Sequence, residues 1–298
     1  DTAVALIDVM GQLGRCDEAR RRYADQTFGA VDEADEALAE AWACLALLEG
    51  RLGEAVRLAG TSLAGAHQEP EGSRTVRSHW VLGSALLERG EVGEAVASLV
   101  VAERSARDAG LQHLCVRTAT ALARARAHLG ETADGIAVLE RARRPLHGQR
   151  LPPRLRRWID HAEARLFLVS GDQDDACELV DGMRPDGDPA TTILRAWCDL
   201  RSGDEAAAAD RLGPDLAPAA SHGQRIEADL LRSRCARDAT ESRRALRHAV
   251  RRGEHDRYVT VFLEHRDEVG ADLRRLGAEE PSPYLADLLR RLEPAPAG

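Results

Sequence analysis

The sequence lacks two residue types completely. Neither lysine nor asparagine occurs, so all 41 cationic side chains other than histidine are arginines. The absence reads as the codon usage of a GC-rich genome, and it has hard consequences. A phosphate-binding loop of the GxxxxGK[ST] type requires its lysine, so no such site can lie in these 298 residues. N-glycosylation acceptors are excluded with asparagine, as is the asparagine that places a second metal in a kinase. Aromatic residues are scarce at 3%, with four tryptophans among them. No apolar run approaches the roughly 20 residues a bilayer span needs, and no signal peptide is recognisable, so a cytoplasmic location is expected. The chain begins at Asp1 rather than at methionine, which reads as a piece cut from a longer protein.

The net charge of −9 argues against a bulk nucleic-acid binder. The balance is uneven: residues 222–298 carry 15 arginines against 14 acids, and all of the excess negative charge lies upstream. Six cysteines (Cys16, Cys44, Cys115, Cys177, Cys198, Cys235) form no CxxC pair, and each sits in an apolar helical pattern. They read as reduced core thiols rather than as a disulfide framework or metal set.

Alanine, leucine, arginine and glutamate dominate, and β-branched runs are nearly absent, so an all-α protein is expected. Its organising stretch is His79–Ala102, HWVLGSALLERGEVGEAVASLVVA, two amphipathic helical patterns joined at a glycine turn. Leu82, Leu86 and Leu87 form the first stripe, and Val96, Leu99 and Val100 the second. Gly83 and Ala95, twelve apart, are small enough to let two helices cross closely. The same turn-plus-small-residue signal recurs at Gly14/Ala19, Gly50/Ala55, Gly90/Ala95, Gly130/Gly135, Gly171/Ala176 and Gly203/Ala208. Twelve residues before each anchor stand Ile7, Ala43, Gly83, Ala123, Ala164 and Ala196, of which Ile7 alone is large.

This pattern resembles the tetratricopeptide repeat, a helical hairpin of about 34 residues. Here the spacing is 36, 40, 40, 41 and 32 residues, with the excess between hairpins in segments such as 65–73 and 145–153. The tryptophan comes one place late (Trp80), Leu99 stands where the family has an aromatic, and the terminal proline is missing. The expectation is a right-handed superhelical solenoid of about six elongated hairpins over 1–213. A C-terminal helical cap over 214–292 should follow, and then a linker over 293–298. Within the cap, helices are expected near 224–236 and 240–252, in a short segment around Tyr258–Asp267, and after Pro283.

The cap carries a second resemblance. An ALRHAV helix is followed by Tyr258, Phe262-Leu263-Glu264, Leu273 with Leu276, and a final Tyr284-Leu285 helix. That order resembles the end of the helical-repeat region in large LuxR-type, MalT-like transcriptional activators. The family's frequent Asp-Glu-Gly after Phe-Leu is Glu264-His265-Arg266 here. The resemblance implies a sensor and assembly domain between an ATPase module and a helix-turn-helix domain, neither of which lies in this stretch. It implies an effector, either a small molecule or a regulatory protein, together with self-association of the parent. From charge, apolar-run length and motifs, no direct nucleic-acid contact, membrane contact or cofactor is expected for this chain.

In a tetratricopeptide superhelix the first helix of each hairpin lines the concave face. Counting six before, three before, one after and five after the small crossing residue gives Arg77, Trp80, Ser84 and Glu88. The next hairpins give Arg117, Thr120, Arg124 and His128; Trp158, His161, Arg165 and Val169; and Ala190, Ile193, Trp197 and Arg201. Three tryptophans among arginines and histidines could stack on a planar ligand and hydrogen-bond its edges. The competing reading makes the same tryptophans packing residues between hairpins. Trp42, just before its crossing residue, reads as core. The Arg243, Arg244, Arg247, Arg251 and Arg252 set reads either as a contact surface or as a solvated face balanced by Glu241, Glu254 and Asp256.

No HExxH, GxSxG or paired-cysteine metal spacing is present, and the chain is not expected to be an enzyme. A plain interaction scaffold of the tetratricopeptide type, or the same repeat region in a signalling kinase, remains the alternative to the regulatory reading.

Overall fold

The computed structural model describes residues 10, 15–23, 36–65, 73–144, 150–184, 187–213, 216 and 220–293. The crossing position at Ile7, the turn at Gly14, most of the segments 65–73 and 145–153, and all but the first residue of the 293–298 tail lie outside them. Among the described residues the secondary structure is helical, with no strand, so the chain is all-α.

Two compact units divide the chain: residues 1–87 with 91–170, and 88–90 with 171–298. The helices of the first are α1 (Cys16–Tyr23), α2 (Glu36–Glu49), α3 (Leu52–Gly65), α4 (Ser73–Glu88), α5 (Val92–Asp108), α6 (Gln112–His128), α7 (Thr132–Arg143) and α8 (Pro153–Ser170). Those of the second are α9 (Gln173–Asp181), α10 (Pro189–Arg201), α11 (Glu205–Leu212), α12 (His222–Cys235), α13 (Ala239–Asp256), α14 (Thr260–Glu264), α15 (Arg266–Glu279) and α16 (Pro283–Leu292). The division falls at Ser170/Gly171, whereas the repeat phase is lost only after 213, well inside the second unit.

In the first unit α2 packs on α3, and α6 on α5, α7 and α8. The small crossing residues make these contacts possible. A Cβ built on Gly83 would lie 2.6 Å from Leu99 Cγ and 3.0 Å from the Ala95 carbonyl oxygen, so α4 and α5 touch backbone to backbone. The same holds for α6 and α7, where a Cβ on Gly135 would come within 2.8 Å of the Ala123 carbonyl oxygen. At the other hairpins Ala43, Ala55, Ala164, Ala176, Ala196 and Ala208 are all fully buried.

The turns follow from the glycines. Gly50, Gly90, Gly130, Gly171 and Gly203 all have positive φ, between 76° and 90°. At Gly130 the chain leaves α6 with Glu131 N–H donating to the Arg126 carbonyl at 3.0 Å, a bond that closes the helix end in Schellman fashion.

The two helices of a hairpin differ in surroundings. Along α2 the run Ala39–Ala46 is buried on every face, and along α6 the run Leu114–Ala119 is too. On α5, by contrast, Gly93, Glu94, Ala97, Val100, Val101 and Arg104 form an exposed side. α2 and the first half of α6 are therefore enclosed by neighbours, and α5 keeps one face in water.

The second unit packs α12 against α10, α11, α13, α14 and α15, and α16 against α13, α14 and α15. Its helix starts are written in the sequence. Ser221 and Gln224 form a reciprocal capping box at α12. The Asp238 side chain accepts from Thr240 and Glu241 N–H at α13, and Ser282 caps α16 ahead of Pro283. Phe262 and Tyr284 meet edge to face at 6.3 Å between ring centroids, and the Tyr284 hydroxyl donates to the Tyr258 carbonyl. The Gly253 backbone passes close to both rings, leaving no room for a Cβ. Tyr258, Phe262, Leu273, Leu276, Tyr284 and Leu285, which carried the resemblance of the cap, are all buried packing residues.

Two glycine substitutions separate the two roles. Gly83→Ala should cost about 1–3 kcal/mol, because the methyl group overpacks Leu99 and the Ala95 carbonyl. Gly130→Ala meets no atom within 4 Å and should cost about 1 kcal/mol through its left-handed backbone alone. Urea denaturation measures both, and equal losses at the two sites would contradict the close crossing.

Candidate functional site

The sequence-derived surface resolves into a cation–aromatic stack in the first unit and a separate buried cluster in the second. In the first unit, Arg117 of α6 lays its guanidinium 3.8 Å from the ring centroid of Trp80 on α4. The same guanidinium lies 5.9 Å from the Trp158 ring on α8. Trp158 is flanked in turn by Arg154 at 5.1 Å and by the His113 ring at 5.4 Å. A guanidinium is planar and weakly hydrated, so it can stack on indole and lose little hydration in doing so. Arg117 is only 8% exposed, which means the stack is mostly closed.

The side chains around the stack differ in accessibility. Arg77 forms an ion pair with buried Glu40 at 2.9 Å. The Thr120 hydroxyl donates to the Arg117 carbonyl at 3.0 Å. Ser84, one turn after Trp80, is half-buried and its hydroxyl has no hydrogen-bond partner. Arg124, His128, Trp158, Arg165 and Val169 are half-buried as well.

Several expected groove positions prove to be interior. Trp80, His161 and Ile193 are buried, and so is Glu40, the residue three before the Ala43 crossing. The position three before the crossing is thus interior at four hairpins, and only Thr120 keeps partial access there. Positions one and five after the crossing keep partial access at Ser84, Arg124, His128, Arg165 and Val169.

Trp197 is the clearest correction. It is fully buried and lies in the second unit, apart from the stack. Its indole N–H donates to Glu268 Oε1 at 3.1 Å, the same oxygen that Arg201 reaches at 2.6 Å. The Trp197 ring packs 4.1 Å from that of His265, whose Nε2 lies 3.1 Å from Glu227 Oε1. Arg201 is thereby engaged in an ion pair, and Trp197 presents no surface to a ligand. Trp42, by contrast, is core as expected.

Two members of the stack were missed, and the signal for both was present. His113 lies four before Arg117 and Arg154 four before Trp158, so each shares a helix face with its partner. Glu40 follows from carrying the same register back to the first described hairpin.

None of the six cysteines forms a disulfide. Burial pushes the Cys115 and Cys235 thiols up to about 11 each, far from the thiolate form that metal binding and nucleophilic chemistry require. Among the described residues no group of three or more His, Cys, Asp or Glu side chains could hold a metal ion. No described helix is long and apolar enough to cross a membrane. The chain matches no protein-family model, and no curated protein matches it in sequence.

Two measurements follow from these environments. Arg117→Met removes the cation from between two indoles and should destabilise the first unit by about 1–2 kcal/mol. It should also shift tryptophan emission; unchanged emission and melting would mean that the stack is absent in solution. His79, the residue before Trp80 in the chain, has Nδ1 buried and unpartnered, and burial lowers its pKa from 6.5. The unfolded chain therefore protonates first, so the contribution of neutral His79 is complete above pH 6.5 and is lost as pH falls through the lower folded value. The drop in Tm between neutral and mildly acidic pH should be smaller in His79→Leu than in the parent; equal drops would remove His79 from the acid response.

Proposed function

We propose that this chain is the sensor and assembly domain of a bacterial LuxR-type, MalT-like transcription regulator. In this reading it is cytoplasmic and non-enzymatic, and its partners are the ATPase and helix-turn-helix domains of a longer parent. The fold that goes with it is a right-handed superhelical solenoid of about six elongated hairpins with a helical cap. Small residues at the helix crossings, an α5 with one face in water, and turn glycines in phase support that architecture. The order of packing residues from Tyr258 to Leu285 supports the family.

The observation that carries the function is the Trp80–Arg117–Trp158 stack on three successive first helices. Trp158 is the only described tryptophan that is half-buried rather than buried, and the Ser84 hydroxyl nearby is unpartnered. An effector with a planar face would pack on Trp158 and take its polar contacts from the half-buried Arg124 and Arg165. Binding there joins α4, α6 and α8, so it would favour one relative setting of those helices and shift the population of the parent between resting and assembly-competent states.

The experiment is a fluorescence titration with a panel of small planar metabolites and, separately, a peptide library. Quenching by a small molecule that disappears in Trp158→Ala supports the sensor. Tight binding of a peptide with no small-molecule response would replace it with the interaction scaffold.

A further inference from the structure

Charge in the first unit is divided by helix. The first helices α4, α6 and α8 carry nine arginines against three acids, and α6 has no acid at all. The second helices α5 and α7 carry four arginines against five acids. Pairing removes part of the imbalance. Asp160 and Glu163 on α8 are both engaged by Arg143 of α7. Arg77 is met by Glu40 of α2, and Arg126 by Glu131 and Asp134. Against the other arginines of α6 and α8 the three first helices supply one further carboxylate, Glu88 at the end of α4.

The excess is arranged in register. His113, Arg117 and Arg124 stand at i, i+4 and i+11 on α6, and Arg154, Trp158 and Arg165 have the same spacing on α8. Each set therefore lies along one helix face. The two rows meet at their N-terminal ends, where His113 and Arg117 both approach Trp158. Two turns further on, Arg124 and Arg165 hold the same place, one after their crossing residues Ala123 and Ala164. Both are half-buried. Arginines of a solvated face would stand in water. Here the cations lie against packed helices, where a field of one sign is screened less than on an open surface.

Given the sensor reading of this face, on which the inference rests, we propose that its effector is a planar anion, an aromatic ring bearing a phosphate or a carboxylate. The ring packs on Trp158, and Arg124 and Arg165 take the charge through charge-assisted hydrogen bonds. Trp158 and Arg165 are seven residues apart on one face, about 10 Å along the helix. That separation suits a ring and an acidic group joined by a sugar or a short linker. The bound anion also relieves the repulsion among the cations of α6 and α8, which gives it a differential hold on the setting of those two helices. A nucleic-acid strand fits less well. Trp80 is buried and Arg117 is 8% exposed, so one accessible indole stands where a strand would need a row of stacking platforms. The chain as a whole has a net charge of −9.

The test is a tryptophan-fluorescence titration of the full chain with matched pairs that differ in charge: AMP with adenosine, UMP with uridine, and cinnamate with cinnamamide. The anionic member of at least one pair should bind at least about tenfold more tightly than its neutral partner at about 20 mM salt, and the difference should shrink near 0.5 M salt. The nucleotide pairs and the cinnamate pair separate phosphate from carboxylate as the source of the charge. Arg124→Gln/Arg165→Gln should abolish the preference and leave binding of the neutral member within about twofold. Arg104→Gln on α5 should change neither, and circular dichroism confirms that each variant is folded. Equal affinities within every pair overturn the anion and leave the sensor reading in place, whereas no small-molecule response of any kind overturns both. Equal loss of anionic and neutral binding in the double variant assigns the two arginines to the fold and overturns their role. A thymidine oligonucleotide bound more than about tenfold tighter than UMP assigns the face to a nucleic-acid strand and overturns the small effector.

Discussion

Close approach of helix backbones at small residues is the constraint on which the rest of the first unit depends. Where Gly83 meets Leu99 and the Ala95 carbonyl, and where Gly135 meets the Ala123 carbonyl, there is no space for even one additional carbon. Two helices that close must share a short connection, and the left-handed glycine after the first helix supplies it within two or three residues. The large side chains are then displaced from the crossing to positions one turn away. That is where Leu86, Leu87 and Leu99 pack and where Trp80 is held. Interiors packed this densely transmit a change in one side chain to its neighbours.

Arginine takes the polar part of this arrangement because lysine is absent. Arg117 is buried against two indoles, while half-buried Arg77 pairs with Glu40 and half-buried Arg201 with Glu268 beside Trp197. A lysine ammonium would be poorly suited to the first of these sites, since it holds its hydration more tightly and cannot stack as a plane. The two units use the same pair of residue types differently. In the first, Trp158 keeps partial access and the arginines near it are spread along successive helices. In the second, Trp197 is sealed by His265, Glu227 and Glu268. One tryptophan register, read from spacing alone, therefore produces one partly accessible surface and one interior cluster.

Helix boundaries were largely legible from local chemistry. The α12 and α13 starts at Ser221 and Asp238, and the Pro283 start of α16, rest on capping contacts within three residues. The small crossing residues were legible for the same reason, since backbone contact leaves only glycine and alanine as choices. The outward face was less legible. Periodicity places Trp80, His161, Ile193 and Trp197 on a common side of their helices, but it does not say how many neighbours cover that side. Carrying the helix faces along to His113 and Arg154 would have recovered the missing members of the stack, and carrying the register back would have found Glu40, the partner of Arg77.

The sequence by itself determined that the protein is helical, where its turns fall and which positions let helices touch, because those properties depend on residues within a few positions of one another. It also excluded a Walker-type phosphate site, through the absence of lysine. Only the tertiary structure decided which aromatic residues are sealed and which keep partial access. It alone joined Trp80, Arg117 and Trp158, residues 78 positions apart at the extremes. Burial and charge pairing depend on what the rest of the chain brings alongside, and that information is absent from any local window.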